Sequence, residues 1–146
     1  MTAKIYPYLT FKNAKEAMDY YVQNFGAEIT YHQPLNKEQA ENIGLATDDL
    51  AQTTLYGEFS VAGQKIICAD ATMGTPQSST LISIMLSFGD EKERARQFFK
   101  RLADADEQRV TVPFGDWVLG NMMGQVVDRY GLTWIICTGN NTAEEE

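Results

Sequence analysis

Histidine is almost missing from this chain: His32 is the only one in 146 residues. Histidine is the commonest metal ligand and the usual acid–base group near neutral pH. Its scarcity leaves no Ser-His-Asp or Cys-His arrangement available beyond His32, which lies on a strand where no ligand is expected. The 2 cysteines are too few for a disulfide framework. Both sit in apolar runs, Ile66-Ile67-Cys68 and Ile135-Ile136-Cys137, the setting of small buried hydrophobes kept reduced. There is no Cys-x-x-Cys, no His-Glu-x-x-His and no glycine-rich phosphate or cofactor loop. Basic residues are also scarce, 12 against 20 acidic ones, for a net charge of -8. That balance argues against nucleic acid and anionic membrane surfaces, which need clustered Lys and Arg, and fits simple solubility. The N-terminal Met-Thr-Ala-Lys-Ile-Tyr-Pro has no apolar signal core, and no later run is long enough to span a bilayer. A cytoplasmic protein is expected.

What is present reads as one globular domain. Residues 4–11 alternate, with Ile5, Pro7, Leu9 and Phe11 on one face and Tyr6, Tyr8 and Thr10 on the other, which predicts a strand. Asn13 is placed to cap a helix, with Glu16 in capping-box position. Ala14, Ala17, Met18, Tyr21, Val22 and Phe25 follow helical spacing, and Gly26 suits a left-handed C-terminal cap. Further strands are predicted over about 27–33, 53–61 and 65–70, with a turn at Ala62-Gly63. Between Pro34 and Ala51 the pattern is weak and polar, with room for a short helix around Lys37–Ile43, in a plain surface loop or a binding loop.

The order then begins again. A strand over 81–88 precedes Asp90 and Glu93 in the places of Asn13 and Glu16, and Ala95, Phe98, Phe99, Leu102 and Ala103 carry the helix face. Strands follow at about 109–113, 122–128 and 132–138. Phe11 and Phe88, Asn13 and Asp90, and Tyr21 and Phe98 are each 77 apart; the hairpin glycines Gly63 and Gly131 are 68 apart (131 − 63). The chain is therefore a duplicated β-α-β-β-β unit: module one 4–71, linker 72–79, module two 80–138, and an acidic frayed tail over 139–146. The fold class is α+β. Each sheet packs one face on its helix; the other faces, bearing Tyr6, Tyr8, Thr10, Tyr56, Glu58, Ser83, Met85 and Ser87, must meet or enclose something, which suggests a partly polar pocket.

Two stretches carry a family resemblance. One is Pro7-Tyr8-Leu9-x-Phe11-x-Asn13-Ala14-x-Glu16-Ala17-x-x-Tyr20-Tyr21-x-x-x-Phe25-Gly26-Ala27 and the other Gly124-x-Val126-x-Asp128-x-Tyr130-Gly131-x-x-Trp134. Together they resemble the glyoxalase/bleomycin-resistance/extradiol-dioxygenase (vicinal oxygen chelate) superfamily, and within it the PhnB-like subgroup, some of whose members carry a methyltransferase label. The resemblance implies two tandem modules forming an open, curved mixed sheet around a cavity, commonly as homodimers.

It also implies where a metal would sit. Enzymes of the superfamily hold one divalent ion with His, Glu or Gln, two from each module. The corresponding positions here are Tyr6 and Ser83 on the first strands, and Ile67 and Ile135 after the hairpins, with Ile66 as the alternative register in module one. Isoleucine offers no donor, and hydroxyl and phenol are poor ligands at neutral pH. No metal and no cofactor are expected; an adenosyl cofactor would want a glycine-rich strand-to-helix turn, which is missing. Where the subgroup tends to have a strand-three histidine this chain has Tyr56, followed by a retained Glu58. Trp117, followed by Val118 where the subgroup has glycine, is a ligand-facing aromatic or a core or dimer contact. The expected function is metal-free binding of a small organic molecule in the cavity between the modules, with Tyr6, Tyr8, Tyr56, Glu58, Ser83, Met85 and Trp117 as lining candidates. The alternative is a lyase, isomerase or dioxygenase that uses an unusual divalent-metal site or takes Glu58 as general base, provided a dry site raises its pKa.

Overall fold

The computed structural model describes residues 2–45, 49–72 and 74–139. The chain divides into two compact units, Met1–Gln77 and Ser78–Glu146.

The first unit contains β1 (Tyr8–Phe11), α1 (Ala14–Phe25), β2 (Glu28–Gln33), α2 (Lys37–Asn42), β3 (Tyr56–Val61) and β4 (Gln64–Asp70). Its sheet runs in the order β1-β4-β3-β2, with β1 parallel to β4 and the other neighbours antiparallel. The helix begins where expected: the Asn13 side chain accepts from the Glu16 amide at 3.0 Å. A second brace comes from Asp70 at the end of β4, whose Oδ1 accepts from Ala14 N at 2.7 Å and whose Oδ2 accepts from Thr54 N at 2.9 Å. One carboxylate thus ties helix start, strand end and the approach to β3 together. Gly26, at φ 67, closes the helix in the left-handed conformation that glycine adopts without steric cost.

Met18, Tyr21 and Phe25 on α1 bury fully against Phe59, Val61 and Cys68, and Tyr21 stacks on Phe59 at 5.2 Å between centroids. Each large side chain removed from water this way contributes about 2–3 kcal/mol. Two residues depart from the expected helix face. Val22 is 37% exposed, and Tyr20, buried to 3%, takes its place by packing edge-on to Tyr21. β1 is shorter than expected, because Ile5 projects into solvent (97% exposed) and Tyr6 precedes the first sheet pair. β3 starts late, after a single 3-10 turn at Leu50–Gln52. The short helix expected near Lys37 is present and is held by a complete capping box, Asn36 with Gln39. His32 is half-buried and structural: its Nε2 lies 3.0 Å from the Thr53 carbonyl, which can only accept, so Nε2 carries the proton.

The second unit contains β5 (Ser83–Ser87), α3 (Lys92–Asp104), β6 (Arg109–Asp116), β7 (Met122–Val127) and β8 (Thr133–Cys137), with sheet order β5-β8-β7-β6. The β-α-β-β-β order repeats, in two four-stranded mixed sheets. Here Asp90 is not the cap that the repeat predicts. Gly89 turns at φ 62, the Lys92 amide donates to the Asp90 carbonyl, and Glu91 becomes the N-cap without a side-chain bond. Ala95, Phe99 and Leu102 are buried, whereas Phe98 is only partly covered and Ala103 is exposed. β6 continues past Pro113, which lacks an N–H; β6 is an edge strand and shifts register twice around that point, so the proline is tolerated. Gly139 belongs to the fold rather than to a frayed tail, since its N–H donates to the Gly89 carbonyl at 2.7 Å. The rest of the expected tail, 140–146, lies outside the described residues.

A pair of glycines marks the repeat inside the sheets. Gly57 lies opposite Cys68 and Gly124 opposite Ile136, each under its module's helix. A Cβ on Gly57 would come 3.0 Å from the ends of Met18 and Cys68, and one on Gly124 would come 2.5 Å from the Phe99 ring. A side chain at Gly124 would collide with a ring on α3, whereas one at Gly57 would press on the flexible end of Met18 and on the Cys68 thiol.

Candidate functional site

Strand register decides which side chains share the face turned away from α1. Tyr8 pairs with Ile67, Ile67 with Glu58, and Glu58 with Tyr31, so these four form one row across the sheet. Because side chains alternate, the next row on one side holds Lys65 opposite Ser60, and on the other Tyr56 opposite Gln33. Ile66 points the other way and is 2% exposed. The one-residue ambiguity in module one is thereby resolved: Ile67 is the residue on the open face.

The chemistry of this face centres on Glu58. Its Oε1 lies 3.0 Å from Lys65 Nζ, and Tyr56, two residues away along β3 on the same face, interacts with the same carboxylate. Lys65 beside it is the main reason that the Glu58 carboxyl is held below its usual range; burial is the next largest effect and opposes it, and the Tyr56 phenol adds to the lowering. Lys65 is pushed up in turn by the bond to Glu58. Tyr56 is pushed up by partial burial first, then by its bond to Glu58 and the charge there. Lys65 Nζ also lies 5.6 Å from the centre of the Tyr6 ring, a cation–π contact. Tyr31 meets Tyr56 edge-on at 6.0 Å, and its hydroxyl donates to Gln33 Oε1 at 2.8 Å. Tyr6, Tyr8 and Tyr31 are 40%, 59% and 48% exposed, so this aromatic face is accessible.

A general base working near neutrality needs a raised carboxyl pKa, and Lys65 moves this one the other way.

The equivalent row of the second unit is Met85, Ile135, Gln125 and Val112, which carries no charge. Ser83 pairs with Thr133. Ser87 braces the sheet edge, its hydroxyl donating to the Gly139 carbonyl and accepting from the Gly89 amide, both at 3.3 Å. Trp117 (38% exposed) follows β6, and Ser83 and Met85 lie on β5, at opposite edges of this sheet. The structure thus brings Tyr6, Tyr8, Tyr56 and Glu58 onto one face and does not bring Trp117 to Ser83 or Met85. Sequence reasoning missed Lys65 and Tyr31. Lys65 was legible as the polar member two residues before Ile67; Tyr31 depended on the register across a bulge between Ile29 and Tyr31.

A divalent metal does not fit the positions that the resemblance assigns to it. They hold a phenol, a hydroxyl and two isoleucines, and both Ile67 and Ile135 lie on the open faces where a donor would be needed. Among the described residues no group of three or more His, Cys, Asp and Glu side chains comes together.

Residues 3–137 match the model of the family described as 3-demethylubiquinone-9 3-methyltransferase. The chain belongs to this PhnB-like family. No curated protein matches it. Among solved structures it is similar to a PhnB protein from Bacillus cereus, at 24% identity over 94% of this chain and 100% of the other, with a TM-score of 0.64. It is likewise similar to the fosfomycin resistance protein FosX from Listeria monocytogenes (15% identity, 99% and 97% covered, TM-score 0.64). A glyoxalase/bleomycin resistance protein/dioxygenase from Alicyclobacillus acidocaldarius gives 11% identity, 94% and 91% covered, and a TM-score of 0.64. These likenesses establish the glyoxalase/bleomycin-resistance-like fold of the PhnB-like chain. The family's name implies an adenosyl cofactor, and the residues here do not fit one at the usual kind of turn. The amides that open α1 are taken by Asn13 and Asp70, and Lys12-Asn13 stands where a glycine-rich turn would be.

Proposed function

We propose that this PhnB-like protein binds a small organic molecule through the face built by Tyr6, Tyr8, Tyr56 and Glu58, without a metal ion or cofactor making the contact. The observation that carries this reading is the ordered Glu58–Lys65–Tyr56 network set among exposed tyrosine rings. Rings supply apolar contact area at low entropic cost, and a few fixed polar groups orient what lies against them. Ser83, Met85 and Trp117 are proposed as contacts in the second module. The role would be sequestration, resistance or sensing, in a cytoplasmic homodimer. Catalysis by Glu58 as a base is disfavoured by the direction in which Lys65 moves its pKa.

The test is a thermal-shift screen of protein purified without a metal-affinity tag, against drug-sized aromatic compounds, alongside elemental analysis. Stabilising compounds whose effect is lost in Tyr8→Ala and Tyr56→Ala support the proposal. Stabilisation that survives both substitutions, or a stoichiometric divalent metal in the purified protein, overturns it.

A further inference from the structure

The class of molecule is written in the arrangement of charge and rings on the first unit's open face. Tyr31 and Tyr56 stand edge-on at 6.0 Å and form an angled pair of rings. Glu58 neighbours both in the sheet: it is opposite Tyr31 across β2·β3 and two residues from Tyr56 along β3, on the same face. Aromatic rings beside an ionised carboxylate make an environment that favours an organic ammonium group, because the face of a ring and the carboxylate both attract positive charge.

The protein already demonstrates that chemistry on the same carboxylate. The Lys65 ammonium is 3.0 Å from Glu58 Oε1 and 5.6 Å from the Tyr6 ring centre. An alkylammonium is thus held by one carboxylate and one tyrosine, and Tyr31 and Tyr56 add two more rings beside the same carboxylate. Lys65 engages one of the about four acceptor positions of a carboxylate, so the group can accept again. The global charge acts in the same direction. A chain of net charge -8 draws cations toward itself and repels anions.

We propose that the Tyr31–Tyr56–Glu58 corner binds an organic cation, a primary to quaternary amine carried on a small apolar body. This inference rests on the reading that the open face of the first module takes a small molecule, and it names the class. Lys65 is then a built-in competitor, since its ammonium shares the carboxylate that the ligand needs.

The probe is benzyltrimethylammonium, followed by calorimetry and by chemical-shift changes of the tyrosine rings at low ionic strength. It is compared with benzoate and with neutral neopentylbenzene, the carbon isostere. Expected are saturable binding of the cation alone, weakening of about tenfold in Glu58→Gln and in Tyr31→Leu, and tighter binding in Lys65→Met, where the internal ammonium is gone. Circular dichroism and melting curves confirm that each variant is folded. Should benzoate or neopentylbenzene bind as well as the cation, with loss in Tyr31→Leu, the cation class is wrong while small-molecule binding on this face stands. Should none of the three bind, both readings fail. Cation binding that is indifferent to Glu58→Gln and Tyr31→Leu also overturns the proposal.

Discussion

The indole N–H of Trp134 donates to Oδ2 of Asp128 at 2.9 Å, with both residues buried, at 1% and 5% exposure. The other oxygen of the same carboxylate accepts from the amides of Tyr130 and Leu132, at 2.9 and 3.0 Å. The Asp128 carbonyl accepts from the Gly131 amide at 3.0 Å, and Gly131 sits at φ 86. The motif Asp-x-Tyr-Gly-x-x-Trp is therefore a lock: one acid shapes the hairpin between β7 and β8 and fastens it to the largest core side chain.

Asp128→Ala should be among the most destabilising single changes in the chain. It strands a buried indole N–H and removes two turn bonds, a loss of about 2–4 kcal/mol, which for a domain of this size lowers Tm by about 10 °C. Combined with Trp134→Phe, which no longer presents an N–H to be stranded, the double variant should cost less than the two singles together. Denaturant melts of the four proteins measure this; strict additivity would refute the lock.

The two glycines beneath the helices should respond unequally to alanine. At Gly57 the obstructing atoms include the tip of Met18, a flexible side chain that can swing aside. At Gly124 the obstruction is the ring of Phe99, set 5.6 Å from Phe114. Overpacking costs typically about 1–3 kcal/mol, so Gly57→Ala should fall near the low end and Gly124→Ala near or above the high end. Equal losses in urea melts would contradict the close approach of α3.

Much of this structure was legible in the sequence because the governing interactions are local. Asn13 reaches an amide three residues away, and Asp128 and Gly131 close a four-residue turn, so spacing alone suffices. The helix cap of the second module was misplaced at Asp90 because Gly89 inserts a turn that copying from Asn13 does not foresee. The site was less legible than the fold. Tyr56 and Glu58 could be placed by alternation along one strand, but Lys65 meets Glu58 only through the register of β3 on β4. Tyr31 reaches the same row through a bulge that shifts β2 by one residue. Such placements depend on pairing between strands, and no periodicity within one strand encodes them.

Both thiols should be unreactive in the folded protein. Burial, reinforced by the charge of Asp70, pushes Cys68 up to about 12, and burial also pushes Cys137 up. Since the thiolate is the reactive form, a disulfide reagent at pH 8 should react with negligible speed under native conditions and with two thiols per chain in denaturant. Fast native reaction of either would mean that its strand opens readily.

The Glu58–Lys65 pair sets a pH dependence whose direction follows from the two shifts. The folded state holds the Glu58 pKa below its reference of 4.5, so the pair's stabilisation is complete above that value and fades as pH falls through the lowered folded pKa. Lys65 is raised above 10.5, so its part is complete below that value and is lost as pH climbs through the raised one. Lys65→Met should therefore move the Glu58 carboxyl upward in a carbon-detected NMR titration, since the largest cause of its depression is gone. Tyr56 supplies an independent readout. Its pKa is raised above 10.0 first by partial burial and then by Glu58, so in Glu58→Gln its absorbance titration should shift down, with a remainder above the reference value left by burial. An unchanged Tyr56 titration in that variant would show that the carboxylate does not control the phenol, and the network on this face would have to be redrawn.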